Sequence, residues 1–199
     1  MFTGIVQGTG KIVEVIEGKA IKSFKIEVPN TDSLDIGASV SVDGVCLTAT
    51  SIENKIVSFD VIQETLSRTT LGQIEVDELV NIERSLKFGD EIGGHLLSGH
   101  IIATGIVNDK SKSGEGFDLS ILAPPSIEKF LIEKGYVAID GISLTIGKIN
   151  NSRFNLHIIP ETMRQTTIAS KQIGDAVNIE IDSTTQTIVA TVERLTGKN

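Results

Sequence analysis

The sequence predicts an all-β chain of two similar small barrels in tandem, followed by one C-terminal helix. Three observations predict it. The chain repeats itself at one fixed offset. Its Val- and Ile-rich runs are short and separated by turn residues. Only its tail carries a long helical spacing of apolar residues.

The repeat is the most informative of the three. A shift of 97 residues, which carries Asp43 onto Asp140, lays Ser39 to Thr50 over Tyr136 to Gly147. Val40, Asp43, Gly44, Leu47 and Thr48 recur as Val137, Asp140, Gly141, Leu144 and Thr145. Under the same shift Glu64, Thr65, Thr69 and Thr70 recur as Glu161, Thr162, Thr166 and Thr167, and VNIE at Val80 recurs at Val177. Separate matches at one offset indicate an internal duplication. Each copy is long enough to fold as its own barrel, so a solenoid is excluded. The expected units are residues 1–97, residues 98–183 and a tail helix at 184–199, with Thr3 opposite His100 across the repeat and Cys46 opposite Ser143.

The elements follow in order. Lys11 to Glu17, Lys22 to Val28, Ala38 to Gly44, Val45 to Glu53, Lys55 to Ile62 and Leu79 to Glu83 are short, β-branched and partly alternating, as strands are. Asp43-Gly44 and Asp140-Gly141 stand between such runs and signal tight hairpins. Many short strands with no obvious edge protection suit closed barrels. The stretch from Lys87 to His100, with Gly89, Gly93, Gly94 and Gly99, reads as the connector between copies. In the second copy, Pro124 to Gly135 predicts a helix capped by Ser126. In the tail, Ile188, Val189, Val192 and Leu195 form a stripe behind a cap at Ser183 or Thr184. That stripe needs a cover, and a neighbouring subunit would supply one.

Composition narrows the function. A net charge of −8 without a basic stripe argues against nucleic acid. With aromatics at 4% and no Trp, a bound heterocycle would depend on backbone hydrogen bonds rather than on an aromatic platform. Cys46 is the lone cysteine, so no disulfide forms within the chain. The start lacks the pattern of a signal peptide and no apolar stretch is long enough to span a bilayer, so a soluble cytoplasmic protein is expected.

Several residues admit two readings each. Cys46 is either a small buried hydrophobe or a thiol near a barrel mouth. His95 and His100 lack the further close ligands that a metal site would require. A histidine beside Gly99 either serves as an acid or base or satisfies connector backbone. The Glu64-Thr65 and Glu161-Thr162 pairs are either turn chemistry or matched polar rims. Two matched rims would suit a reaction between two identical molecules.

The opening MFTGIVQGTG, Asp43-Gly44-Val45-Cys46-Leu47-Thr48, FGDEIGGHLLSGH and Ile139 to Thr145 together resemble the α-subunit type of riboflavin synthase. The likeness runs through both repeats. It implies two six-stranded Greek-key barrels and a homotrimer held by the tail helix. The implied reaction is dismutation of two 6,7-dimethyl-8-ribityllumazine molecules, without cofactor or metal. The implied site lies between the first barrel of one subunit and the second barrel of its neighbour. For the first barrel the resemblance implies ligand contacts at Gly4, Ile5, Val6, Cys46, Leu47, Thr48, Asp60, Val61, Ile62, Gln63, Glu64 and Thr65. For the second it implies Gly99, His100, Ile101, Lys134, Ser143, Leu144, Thr145, His157, Ile158, Ile159, Pro160, Glu161 and Thr162. Catalytic roles fall on Ser39, Cys46, His100 and Asp182. The rival within this fold is a lumazine-binding protein that holds the ligand without turning it over.

Overall fold

A computed structural model describes residues 1–197; the last two positions of the expected tail helix lie outside the described residues. The first barrel consists of β1 (Gly8–Glu17), β2 (Ile21–Glu27), β3 (Ser39–Val42), β4 (Val45–Glu53), β5 (Ile56–Ile62) and β6 (Leu79–Arg84). The second consists of β7 (Ala103–Ser113), β8 (Gly116–Leu122), β9 (Tyr136–Ile139), β10 (Ile142–Asn150), β11 (Arg153–Ile158) and β12 (Ala176–Ile181). Each closes with the same order: β1-β2-β5-β4-β3-β6, and equivalently β7-β8-β11-β10-β9-β12. The neighbours β2–β5 and β3–β6 are the Greek-key crossings, and closure leaves no free edge.

Alternation builds the cores. Val45, Leu47 and Ala49 of β4 and Val57, Phe59 and Val61 of β5 turn inward, while Cys46, Thr48 and Asp60 turn out. Asp43 and Gly44 both have positive φ, 44° and 82°, as a two-residue type I′ hairpin demands, and Asp140-Gly141 repeats this at 46° and 79°.

The helices depart from expectation. The segment after Pro124 makes only a 3-10 turn, Pro125–Phe130, with Pro124 rather than Ser126 at its cap. Ile127, Phe130 and Leu131 do sink into the core, but Lys134 and Gly135 are drawn into pairing with Ile146, which ends the turn. Two short helices were not legible in the sequence: α1 (Gln63–Arg68) and α2 (Pro160–Gln165). The tail helix α3 (Ser183–Thr196) starts one residue earlier than expected, because Asp182 is its cap and accepts from the Thr185 N–H at 2.8 Å. No helix among the described residues is long and apolar enough to cross a membrane.

The two barrels meet across a buried polar seam with near two-fold symmetry. Asn81 Nδ2 donates to the Asp140 carbonyl and Asn178 Nδ2 to the Asp43 carbonyl, both at 2.9 Å. Their Oδ1 atoms accept from the Thr167 and Thr70 N–H groups, both at 2.8 Å. Gly44 lies against Gly141 so tightly that a Cβ on Gly44 would come within 2.7 Å of the Gly141 nitrogen. The symmetry breaks at Lys171, whose Nζ is 3.1 Å from Asp140 Oδ2 and whose counterpart in the first copy is Ile74.

Burial, and then the Asp140 charge, pushes the Asp43 carboxyl up to about 8 from an ordinary 3.8, against the pull of Lys171 and of the Asn81 N–H. The folded state therefore holds a proton that the unfolded chain has released. This stabilisation is full below the unfolded value and is lost as pH rises toward 8, at up to ~1.4 kcal/mol per pH unit. Asp43→Asn should flatten the fall in Tm between pH 5 and 8.5. Superimposable Tm profiles for the variant and wild type would show that Lys171 keeps the carboxylates ionised throughout.

Candidate active site

The duplication creates two outer faces of like design. On the first, Ser39 pairs across the strands with Thr48, and Cys46 with Ser41, leaving Ser39, Cys46, Thr48 and Asp60 on one side of β3, β4 and β5. On the second, the matched positions are Tyr136, Ser143, Thr145 and His157. Each face is extended by a short helix, carrying Gln63, Glu64 and Thr65 in one case and Pro160, Glu161 and Thr162 in the other. Ile62 and Ile159 are exposed at the turn into each helix. Leu47, Val61, Leu144 and Ile158 point into the cores, so those four can offer a ligand only backbone.

The structure reassigns the two loops that precede the barrels. The Gly4 carbonyl accepts from the Ser143 N–H at 2.9 Å, and Val6 packs in the core of the second barrel. The Gly99 carbonyl accepts from the Cys46 N–H at 2.9 Å, and Ile101 packs against the core of the first. Gly4, Ile5 and Val6 therefore belong with the second face, and Gly99, His100 and Ile101 with the first, the reverse of the sequence expectation. Each chain segment crosses over before entering its own barrel.

The crossing also corrects the register. Thr3 and Gly4 bind Glu83 just as Ser98 and Gly99 bind Glu180, so Thr3 matches Ser98, and Ile5 rather than Thr3 is the counterpart of His100. The offset is 95 in the opening strands and becomes 97 after the two-residue insertion around Pro124 to Gly135, which a single fixed shift obscured.

The faces differ where chemistry would occur. The first presents Ser39, Cys46 and, beside Gly99, the exposed His100. On the second, His95 Nδ1 lies 2.7 Å from Ser143 Oγ, and its ring stacks on Tyr136 at a centroid distance of 5.0 Å. His95 is buried and its Nε2 has no hydrogen-bond partner. Burial lowers its basicity, and the charge of Asp182 opposes that. Asp182 follows β12, whose Ile181 pairs with Val137 of β9, and so lies on the side of the second face rather than with Ser39, Cys46 and His100. In the sequence His95 is one residue of the Gly-rich connector; its place at Ser143 arises where the connector folds over β10, with Gly94 leaving no room for a side chain beside Ser143 and the Thr3 carbonyl.

The polar rims also differ in the partner that each aspartate meets. Ser23 Oγ donates to Asp60 at 2.5 Å on the first face, whereas His157 Nδ1 meets Asp118 at 2.5 Å on the second. Glu64 pairs with Arg68 at 3.4 Å. Arg164 bonds Glu161 and holds its carboxyl below the usual range, with Gln165 adding to this. Lys134 sits at the second face in a left-handed turn with φ 65°. A hollow at the edge of this face, between the β7–β8 hairpin and the turn into α2, is lined by Asp118, His157, Ile159 and Pro160 and measures about 230 Å³. Larger hollows of about 390 and 440 Å³ follow the seam between barrels, the smaller of them reaching Gln63 at the start of α1. No cluster of His, Cys, Asp and Glu suited to a metal occurs among the described residues.

Comparison with known proteins agrees with this architecture. The lumazine binding domain matches twice, at residues 3–85 and 98–182. Riboflavin synthase of Buchnera aphidicola subsp. Baizongia pistaciae is 49% identical over 198 residues, covering 98% of this chain and 93% of that protein. Riboflavin synthase of Escherichia coli K12 is 47% identical over the same span and coverage. Among solved structures, LumP complexed with riboflavin superposes with a TM-score of 0.86 at 26% identity, covering 92% of this chain and all of that one. LumP complexed with 6,7-dimethyl-8-(1'-D-ribityl) lumazine superposes with a TM-score of 0.84 at 25% identity and the same coverage.

Proposed function

This chain belongs to the lumazine-binding family and, within it, to the riboflavin synthases, and from that premise we propose how its two faces share the reaction. The activity is dismutation of two 6,7-dimethyl-8-ribityllumazine molecules. A four-carbon unit passes from one to the other, giving riboflavin and 5-amino-6-ribitylamino-pyrimidinedione, the last step of riboflavin biosynthesis. The observation that carries the division of labour is a pair of faces alike in strand register yet unlike at Cys46 against Ser143 and His100 against Ile5. Such faces bind one kind of molecule twice and treat it differently.

Residues 1–97 and 98–183 act as the two lumazine-binding units. Cys46–Thr48, Asp60–Thr65 and the crossing loop Gly99–Ile101 hold one lumazine. Lys134, Ser143–Thr145, His157–Thr162 and the loop Gly4–Val6 hold the other. Bringing two rings face to face removes much of the entropic barrier. One lumazine then loses a proton from its 7-methyl group, and backbone N–H groups around the ring stabilise the anion. Ser39, Cys46 or His100 supplies or orients the nucleophile that adds to the partner ring, with Asp182 contributed from the other side.

The 230 Å³ hollow at the edge of the second face falls short of the roughly 300–1,000 Å³ of a ligand site, so that face needs a second wall. A neighbouring copy supplies it, with the first face of one subunit against the second face of the next in a homotrimer. The exposed Ile188, Val192 and Leu195 of α3 give that assembly an apolar stripe. The enzyme works in the cytoplasm, where its lone Cys46 stays reduced.

The rival reading, a protein that holds lumazine without converting it, is favoured by the likeness to LumP alone, at 25–26% identity against 47–49% for the synthases. Mixing the protein with 6,7-dimethyl-8-ribityllumazine and following riboflavin absorbance separates them. Riboflavin should accumulate; persistent lumazine fluorescence without riboflavin would leave the rival standing. Cys46→Ser should lower kcat about tenfold or more, since hydroxyl is the poorer nucleophile at neutral pH, while lumazine affinity holds within about twofold. Wild-type turnover in that variant would remove Cys46 from the chemistry.

A further inference from the structure

Two buried carboxylates take no part in the reaction as described, yet each controls one of the crossing loops. Glu83 on β6 is 4% exposed and accepts from the Thr3 N–H at 2.6 Å, the Thr3 hydroxyl at 2.8 Å and the Gly4 N–H at 3.0 Å. Glu180 on β12, also 4% exposed, accepts from the Ser98 N–H at 2.7 Å, the Ser98 hydroxyl at 2.8 Å and the Gly99 N–H at 3.1 Å. The hydroxyls pass the constraint onward. Thr3 Oγ1 accepts from the Ile5 N–H and Ser98 Oγ from the His100 N–H, both at 3.2 Å. Each loop then docks on the opposite barrel, through the Gly4 carbonyl to Ser143 and the Gly99 carbonyl to Cys46.

A carboxylate suits this task. It accepts on both oxygens and donates nothing, so two adjacent backbone N–H groups and a hydroxyl can converge on it. An amide in the same place would aim an NH₂ at the Gly99 or Gly4 N–H. Burial raises both carboxyls and the bonds from these loops pull them back. Glu83 stands in the first barrel but fixes a loop of the second face; Glu180 stands in the second barrel but fixes the loop carrying His100 to the first.

We propose that Glu83 and Glu180 are positioning residues that make each barrel the support of the other barrel's substrate face, Glu180 setting the geometry of Cys46 and His100 and Glu83 setting the lumazine contacts of Gly4 to Val6. This rests on the division of the faces given above. The near symmetry provides its own control, because the two carboxylates match in burial and bonding but serve faces with different duties.

The experiment compares Glu180→Gln with Glu83→Gln in the full chain, by Tm, by kcat and KM for 6,7-dimethyl-8-ribityllumazine, and by the pH profile of kcat. Both variants should lose similar Tm. Glu180→Gln should lower kcat tenfold or more and displace the pH profile, while Glu83→Gln should raise KM fivefold or more with the profile unmoved. Glu180→Asp should recover part of kcat. If either amide variant fails to fold, Ser98→Ala and Thr3→Ala remove the relaying hydroxyls and should reproduce the same split on a smaller scale. Equal kinetic losses in the two variants, in proportion to Tm, would reduce both carboxylates to ordinary structural groups and overturn the proposal. If the wild type makes no riboflavin, the functional reading fails, and lumazine fluorescence titration still decides this one. Each variant should then weaken one class of site and spare the other; weakening of both classes alike by each variant would overturn it.

Discussion

Gly99→Ala is expected to cut kcat/KM by at least about 100-fold, through a loss of some 3 kcal/mol in the geometry of the first face. Gly99 has φ 80°, a region that L side chains rarely adopt. A Cβ there would fall 2.5 Å from Cys46 Cβ and 2.9 Å from the Cys46 nitrogen, the atom that donates to the Gly99 carbonyl. Neither backbone can yield without parting, so the loop must lift from β4 and carry His100 with it. Gly37→Ala separates the two causes, because Gly37 has φ 90° with nothing within 4 Å of the added carbon. It should show the backbone strain alone, about 1–2 kcal/mol of stability with turnover unchanged. Steady-state kinetics on both variants decides the matter. A Gly99→Ala enzyme no slower than Gly37→Ala would show that the loop does not shape the face.

Asn178→Ala should be the most destabilising single truncation on the seam, at about 3–5 kcal/mol. Its side chain is fully buried and joins three partners: the Asp43 carbonyl, the Thr70 hydroxyl and the Thr70 N–H, at 2.9, 2.9 and 2.8 Å. Truncation leaves the Asp43 carbonyl and the Thr70 N–H without these partners. Guanidinium denaturation should show a lower midpoint, and Asn81→Ala should cost somewhat less, since Asn81 Nδ2 has one acceptor where Asn178 has two. A double-mutant cycle should show strong coupling, because each asparagine bridges to the barrel that carries the other. A loss under about 1 kcal/mol for Asn178→Ala would mean that apolar contact holds the barrels together and the asparagines merely fit.

How much of this was legible without coordinates depends on how local each cause is. The hairpins at Asp43-Gly44 and Asp140-Gly141 were, because positive φ at two consecutive residues is written in the residue types themselves. The strand character of β4 was, because alternation has a period of two, but the side that Cys46 takes was not, since a small thiol suits either side. The tail helix was, from its stripe, although its cap is Asp182 rather than the expected Ser183 or Thr184. The 3-10 turn after Pro124 was overestimated as a helix, since the competing partner, Ile146, lies on another strand. Of the candidate site, Ser39 and Cys46 share one face and both Glu-Thr pairs flank matched faces, but His100, expected with the second barrel, stands with the first.

By itself, then, the sequence determined that the chain is two copies of one barrel with two similar polar faces, because duplication, turn chemistry and strand period are properties of neighbouring residues and of the chain laid over itself. Tertiary structure alone decided which loop serves which face. Gly4 and Gly99 dock on the barrel they do not enter, Glu83 and Glu180 hold them there, and His95 reaches Ser143 across the connector. Those assignments rest on hydrogen bonds between residues some 50 to 140 positions apart, which no local pattern encodes. They were settled where two barrels packed closely enough that only glycine could pass between them.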